Sequence, residues 1–297
     1  MTTLTRRSFH TTVGLALLGT VFRPSLGHAE ILPAVETQNQ AQLQRTRSQR
    51  MARAPIFMKL GVEKSRHMEM LQTAADEFRT VLAALRNGSP DGTLLAQTEP
   101  RVLEAIDTVE QIWGLMAPSV DEILASGEVT DTALSPIIDN NAVLLFTSNN
   151  VVEQMLSFVA RADGGAARYA AAINVPGLQR TTAQQLAKEV GKIALDISPE
   201  ASRGSLREQV LLFDQSLDAI TEGVPELGII APPRDVALRI TNVRSLWSGF
   251  RSKMTDVANG AKADLGLVFT IASQADTLTS GMNDVVLAYE ELASAGA

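Results

Sequence analysis

Residues 42–53 read Gln-Leu-Gln-Arg-Thr-Arg-Ser-Gln-Arg-Met-Ala-Arg, the densest run of polar side chains at helical spacing in the chain. On a helix, residues three, four and seven apart lie above one another, so Arg45, Ser48, Gln49 and Ala52 share a face. That face carries a fixed cation, a hydroxyl and an amide, with a small residue that allows close approach. A guanidinium stays charged and presents a planar fork of donors, which suits a planar oxyanion. Arg180, Ala183, Gln184 and Ala187 form a second face of the same pattern. The other reading of both segments is a solvated helix surface, with Arg47, Arg50 and Arg53 serving solubility.

Little else in the sequence offers chemistry. There is no cysteine, which excludes disulfides, thiolate metal sites and cysteine nucleophiles. Of three histidines, His10 and His28 fall in the N-terminal segment described below, leaving His67. Multi-histidine metal sites and bis-histidine haem ligation are thereby excluded, and a Ser-His-Asp triad would have to use His67. His67 closes the charged stretch 63–67, which reads as a solvated helix start. No glycine-rich phosphate loop is present. No catalytic residue, metal site or cofactor is expected. A net charge of −7 without a basic block argues against nucleic-acid binding, and it makes any capture of an anion local to the arginines. Trp113, Trp247, Met51, Met58, Met68 and Met70 read as core residues. Glu290 and Glu291 read as part of a frayed terminus.

Residues 1–29 read as an export signal. Arg6 and Arg7 precede Ser8 and Phe9, an apolar stretch runs from Val13 to Phe22, and small residues at 27 and 29 frame a cleavage site. The paired arginines are similar to the twin-arginine signal, although His10 and Thr11 depart from its usual continuation. The apolar stretch is shorter than the ~20 residues that span a bilayer. Cleavage removes three arginines and no acid, taking the net charge from −7 to −10. No later segment is apolar enough to cross a membrane.

The elements that must position the arginines are all helical. Aromatics make up 4% and hydrophobic residues 45%, a composition for a core of small aliphatic side chains. Periodicity and punctuation predict helices over 36–61, with a bend at Pro55, then 64–87, from about 100 to 126, and 135–162. After Gly164 and Gly165 four more follow, over 168–197, from Ser205 to 222, from about 234 to 259, and 262–294. Ser205 and Glu208 read as a capping box, and Ser135-Pro136 as a cap with proline in the first turn.

The two sets align with a shift of 135 residues. The run 43–46 matches 178–181, Gln49 matches Gln184, and Arg53 becomes Lys188. Phe78 and Leu82 match Phe213 and Leu217, and Gly88 and Pro90 match Gly223 and Pro225. After a one-residue slip Trp113 pairs with Trp247 and Asn149 with Asn283. The expected architecture is all-α, two repeated antiparallel four-helix units over 36–162 and 165–294.

The arginine segments resemble the first-helix motif of the PilJ-type domain, the N-terminal sensor module of type IV pilus methyl-accepting chemoreceptors. That motif commonly reads Ala-Gly-Arg-Gln-Arg-Met-Leu-Ser-Gln-Arg-Met-Ala-Lys. Ala41, Gln44, Arg45, Ser48, Gln49, Arg50, Met51 and Ala52 fit it in register, and the stretch 173–180 resembles its lead-in. A related motif occurs in nitrate/nitrite sensor histidine kinases. The resemblance implies that Arg45 and Arg180 are anion ligands, with Gly177 permitting backbone approach. The small inorganic anion would then lie between the two first helices, about a pseudo-two-fold axis within one chain. Gln42 stands in place of the glycine of the first copy, Thr46 and Thr181 in place of a methionine, and Ala183 and Gln185 in place of the serine and second arginine. Relatives of this kind carry a transmembrane helix, so the resemblance implies a periplasmic protein reporting to a membrane receptor or sensor kinase. The competing function is a non-catalytic assembly scaffold.

Overall fold

A computed structural model describes residues 28–162 and 164–295, with side chains over 34–157 and 169–293. The export signal expected over 1–29 lies outside the described residues up to position 27. The described chain is 85% helical, with no strand. Eight α-helices follow one another: α1 (His28–Lys59), α2 (Lys64–Asn87), α3 (Pro100–Ser126), α4 (Asp131–Ala162), α5 (Gly164–Ala194), α6 (Pro199–Glu222), α7 (Arg234–Ala258) and α8 (Leu265–Ala295). A short 3-10 turn, Pro225–Leu227, separates α6 from α7.

Within each set of four, every helix packs on the next and the last closes on the first. Cross-links run antiparallel throughout: Gln44 to Phe78, Arg79 to Asp121 and Arg45 to Asn149 in the first bundle. Trp113 packs on Phe78 with ring centroids 5.2 Å apart, and in the second bundle Trp247 stacks on Phe213 at 4.0 Å. Both tryptophans and the methionines Met51 and Met58 are core residues, while Met68 and Met70 pack partly buried against that core.

The turns repeat as well. Gly61 and Glu63 adopt left-handed conformations before α2, and Asp196 and Ser198 do so at the corresponding places before α6. In both turns an amide returns to the helix behind it, Val62 N–H to Phe57 O and Ile197 N–H to Lys192 O.

Several starts differ from the sequence-based expectation. The fourth helix begins at Asp131, not Ser135, because Thr130 Oγ1 accepts the Ala133 N–H at 3.1 Å and caps it one turn earlier. The sixth begins at Pro199, so Ser205 and Glu208 lie inside it. His67 is not solvated. It is fully buried, packs on Phe57 and shares its Nδ1 with the carbonyls of Val62 and Glu63, closing the turn before α2.

The two bundles join through α1 and α5, which run parallel, side by side. Gln42, Thr46, Gln49, Arg53 and Ile56 of α1 face Gly177, Thr181, Gln184, Lys188 and Gly191 of α5. Steps of four and three residues keep one stripe of each helix against its partner, as in a parallel two-stranded coiled coil. Thr46 Oγ1 and Thr181 Oγ1 lie 3.1 Å apart, a residue meeting its own repeat equivalent. That contact marks a pseudo-two-fold axis parallel to the helices. Each first helix therefore belongs to its own bundle and to the joint between bundles. This explains how a helix as polar as α1 is buried on nearly every side between Thr37 and Met58.

Candidate functional site

The polar seam between α1 and α5 contains two layers. In the first, Arg45 Nη1 donates to Asn149 Oδ1 on α4 at 2.9 Å and to Asn174 Oδ1 on α5 at 3.1 Å, with Nη2 donating to the same Asn174 oxygen. Arg180 repeats this about the axis: Nη1 donates to Asn283 Oδ1 on α8 at 2.7 Å, and Nη2 to Asn39 Oδ1 on α1 at 3.1 Å. Each guanidinium is gripped by one asparagine of its own bundle and one from the first helix of the other. Both arginines are 0% exposed. Among the described residues neither has a carboxylate at salt-bridge distance.

Two like charges are thus held in a buried seam by neutral amides. Burial and then the nearby Arg180 charge pull the Arg45 guanidinium down to about 9, with Glu153 opposing. Burial brings Arg180 to about 10, against the pull of Glu290. Both remain cationic at neutral pH. The carboxylates near this layer stand behind the asparagines: Asn149 Nδ2 donates to Glu153 at 2.7 Å, and Asn39 Nδ2 to Glu290 at 3.3 Å. Burial, opposed by Arg180 and reinforced by Glu36, raises Glu290 to about 8. Raised to this value, Glu290 offsets the Arg180 charge only in part at pH 7.

The folded-state value for Glu290 lies above the ~4.3 of an unfolded glutamate, so the native protein retains a proton that the unfolded chain releases. Stability from this group is complete below pH ~4.3 and is lost as pH rises toward 8. Glu290→Gln removes that loss. At pH 8 it is expected to be more stable than the parent by ~2–4 kcal/mol in a denaturant titration, and equal to it near pH 4. Equal stability of the two proteins at both pH values would show that Glu290 ionises normally.

Gly177 lies in the same layer. A Cβ built there would meet Gln42 Oε1 at 2.2 Å and Arg45 Nη2 at 3.2 Å, so only glycine admits the Gln42 carboxamide beside Arg45. Gln42 is fully buried, and neither its Oε1 nor its Nε2 has a hydrogen-bond partner. The Nε of Arg180 is also buried and unpartnered.

The second layer lies beyond the Thr46–Thr181 contact. Lys188 Nζ donates to Gln49 Oε1 at 2.9 Å and Asn141 Oδ1 at 2.7 Å, and pairs with Glu189 at 3.3 Å. Across the axis Arg53 donates to Gln184 Oε1 at 2.5 Å and grips both oxygens of Asp276 at 2.8 and 3.1 Å. Burial pushes the Asp276 carboxyl upward, but Arg53 and Gln184 outweigh it and hold it below the usual range. This layer is internally neutralised.

The six residues singled out by sequence therefore divide. Arg45, Arg180 and Gly177 meet in the first layer. Gln49 and Gln184 stand in the second, committed to Lys188 and Arg53. Ser48 turns back along its own helix: its Oγ donates to Arg45 O at 2.7 Å and accepts from Gln49 Nε2 at 3.2 Å. Asn149 and Asn150 read from sequence as exposed or interhelical hydrogen-bonding residues, but no asparagine was tied to an arginine, and Glu290 was placed at a frayed end when the structure buries it beside Asn39. The signal for the clamps was present, since the 135-residue shift carries Asn39 to Asn174 and the slipped alignment carries Asn149 to Asn283.

A family model, PilJ, described as the N-terminal region of type IV pili methyl-accepting chemotaxis transducers, matches residues 38–136 and again 165–268. The two matches together cover more than half of the chain. No curated protein matches it.

Proposed function

The chain belongs to the PilJ family of chemotaxis-transducer sensor domains, and from that premise we propose that it binds one small planar oxyanion, of the size of nitrate or nitrite, between Arg45 and Arg180. The family's role is sensing or signalling, not catalysis. Among the described residues no helix is long and apolar enough to cross a membrane. In this reading the exported protein acts in the periplasm and passes the bound state to a membrane receptor or sensor kinase.

One observation carries the proposal: two fully buried guanidiniums, related by the pseudo-two-fold axis, are held by neutral oxygens, the asparagine amides and, for Arg45 Nε, the Gln42 carbonyl at 3.4 Å. A buried cation without a carboxylate partner costs several kcal/mol unless compensated. An anion shared by the pair would compensate both. It would also tie α1 to α5, so that occupancy alters the joint between the bundles.

The test is calorimetric titration of the protein with sodium nitrate and sodium nitrite, beside an Arg45→Met, Arg180→Met double variant of verified fold. Saturable heat in the parent that disappears in the variant supports the reading. Affinity should fall as pH rises through about 8, where Glu290 gains its charge next to Arg180. Equal heats from parent and variant would contradict the assignment.

The scaffold reading draws on a different feature. A groove of about 440 Å³ runs along α5 between α4 and α6, walled by Leu145, Val175, Leu178 and Leu212. Phe146 stands on its rim, 74% exposed. Loss of a partner protein from a Phe146→Asp variant, with anion binding intact, would favour that role.

A further inference from the structure

We infer that the preferred ligand of the Arg45–Arg180 layer is a planar monoanion that still carries a proton, of the hydrogencarbonate type, selected by the Gln42 carboxamide. The inference rests on the anion reading above and narrows it. Gln42 is 0% exposed, yet both ends of its carboxamide lack partners. The amide lies against Gly177 and beside Arg45, as the contacts of a Gly177 Cβ with Gln42 Oε1 and Arg45 Nη2 show. Turning the amide over changes nothing in the argument, because either orientation needs one donor and one acceptor from its surroundings.

Nitrate, nitrite and formate offer acceptors only. Each would satisfy the Gln42 Nε2, but each would leave Gln42 Oε1 buried without a donor. A group with adjacent O–H and C=O closes a ring of two hydrogen bonds with a carboxamide and satisfies both ends. The negative charge is set by the layer, whose two guanidiniums are matched by amides and not by a carboxylate at contact distance. A neutral acid or amide would pair with Gln42 but leave the arginine charges uncompensated. Hydrogencarbonate meets all the conditions: it is planar, small, singly charged and carries one O–H.

Sites built to bond a particular donor discriminate strongly against analogues that lack it, since the protein acceptor is left unpaired. The experiment is titration of the full chain at near-neutral pH with sodium hydrogencarbonate, nitrate and formate in turn. The same titrations are run on Gln42→Leu, which removes both polar atoms and leaves a branched apolar side chain one atom shorter, and on Gln42→Gly. Hydrogencarbonate is expected to bind the parent about tenfold or more tightly than nitrate or formate, and this ratio should collapse in both variants. Nitrate binding equal to or tighter than hydrogencarbonate in the parent would overturn the inference while leaving the anion reading in place. The same holds if the preference survives Gln42→Leu. Absence of binding by all three anions would remove the shared-anion reading and this inference together. Chloride at matched ionic strength serves as the baseline, so that a general salt effect counts against the assignment.

Discussion

Arg53→Ala is expected to lower the stability of the protein by ~3–5 kcal/mol, the range for removing one member of a buried ion pair. The side chain is fully buried in the α1–α5 seam and makes four contacts that no neighbour can replace in kind: Gln184 Oε1, both oxygens of Asp276 and Ala272 O. Its guanidinium also lies 5.3 Å from the centre of the Phe57 ring. Truncation leaves the Gln184 oxygen and the Ala272 carbonyl without this donor, and removes the main charge partner of a half-buried carboxylate. Arg66 still reaches Asp276 at 2.8 Å from the solvent side, which keeps the loss within the range given. Arg53→Lys keeps the charge but not the fork, as Lys188 does at the matching position, and should lose about half as much. Urea midpoints of the three proteins measure the series. A loss below ~1 kcal/mol for alanine would mean that the second layer does not hold the bundles together.

The second large effect is expected at Gly191. A Cβ there would meet Ile56 Cγ2 at 2.6 Å and Phe57 Cε2 at 2.8 Å, both in packed core. Gly191→Val therefore forces the two first helices apart and should cost ~3 kcal/mol, the upper part of the range for overpacking a core. Helix propensity works the other way, since glycine is the poorer helix former by up to ~1 kcal/mol. The sign thus reports the packing. Ile56→Ala creates space opposite the same spot, so the double variant should be more stable than the sum of the two single losses by ~1 kcal/mol or more. Gly204 on α6 has nothing within 4 Å of an added Cβ, and Gly204→Ala is the control, expected to be neutral or slightly stabilising. Additive losses at 56 and 191 would contradict the close approach of α1 and α5.

These two positions show what could and could not be read without coordinates. The helices were legible because each repeat alternates apolar stripes with glycine and proline stops, and the 135-residue shift bound the two halves to one plan. The polar run of the first helix was legible as a candidate site but ambiguous as to place. A solvated surface and a buried seam between two bundles draw on the same residues, and hydropathy alone favours the surface. The difference lies in partners distant in the chain: Asn149 and Asn174 for Arg45, Asp276 for Arg53.

His67 was misplaced for the same reason. Charged neighbours at 63, 64 and 66 suggest solvent, yet the left-handed turn at Gly61 and Glu63 rotates the ring inward onto Phe57. Glu290 was misplaced by its nearness to the chain end, although α8 packs along α5 as far as that residue and buries it. Helix starts shifted because caps are local devices that compete: Thr130 captures α4 before Ser135 can. Gln42 was legible only as a departure from the glycine of the motif. Its meaning comes from Gly177, its repeat equivalent, which leaves the notch that the carboxamide enters.

The like-charged first layer and the neutralised second layer also assign different work to similar residues. Arg53 and Lys188 are matched by Asp276 and Glu189 and hold the joint. Arg45 and Arg180 are matched by amides, which position a guanidinium without cancelling its charge. A site that must accept an anion needs the second arrangement, since a resident carboxylate would have to be displaced first.

The most direct measurement is the stoichiometry of anion binding to the intact chain, set beside the same titration of Arg45→Met and Arg180→Met separately, each checked for its helical content. One shared site predicts a single anion per chain, and loss of that binding in either single variant. Two anions per chain, or one arginine variant that retains the parent's affinity, would show that the guanidiniums act independently and that the pseudo-two-fold site is not shared.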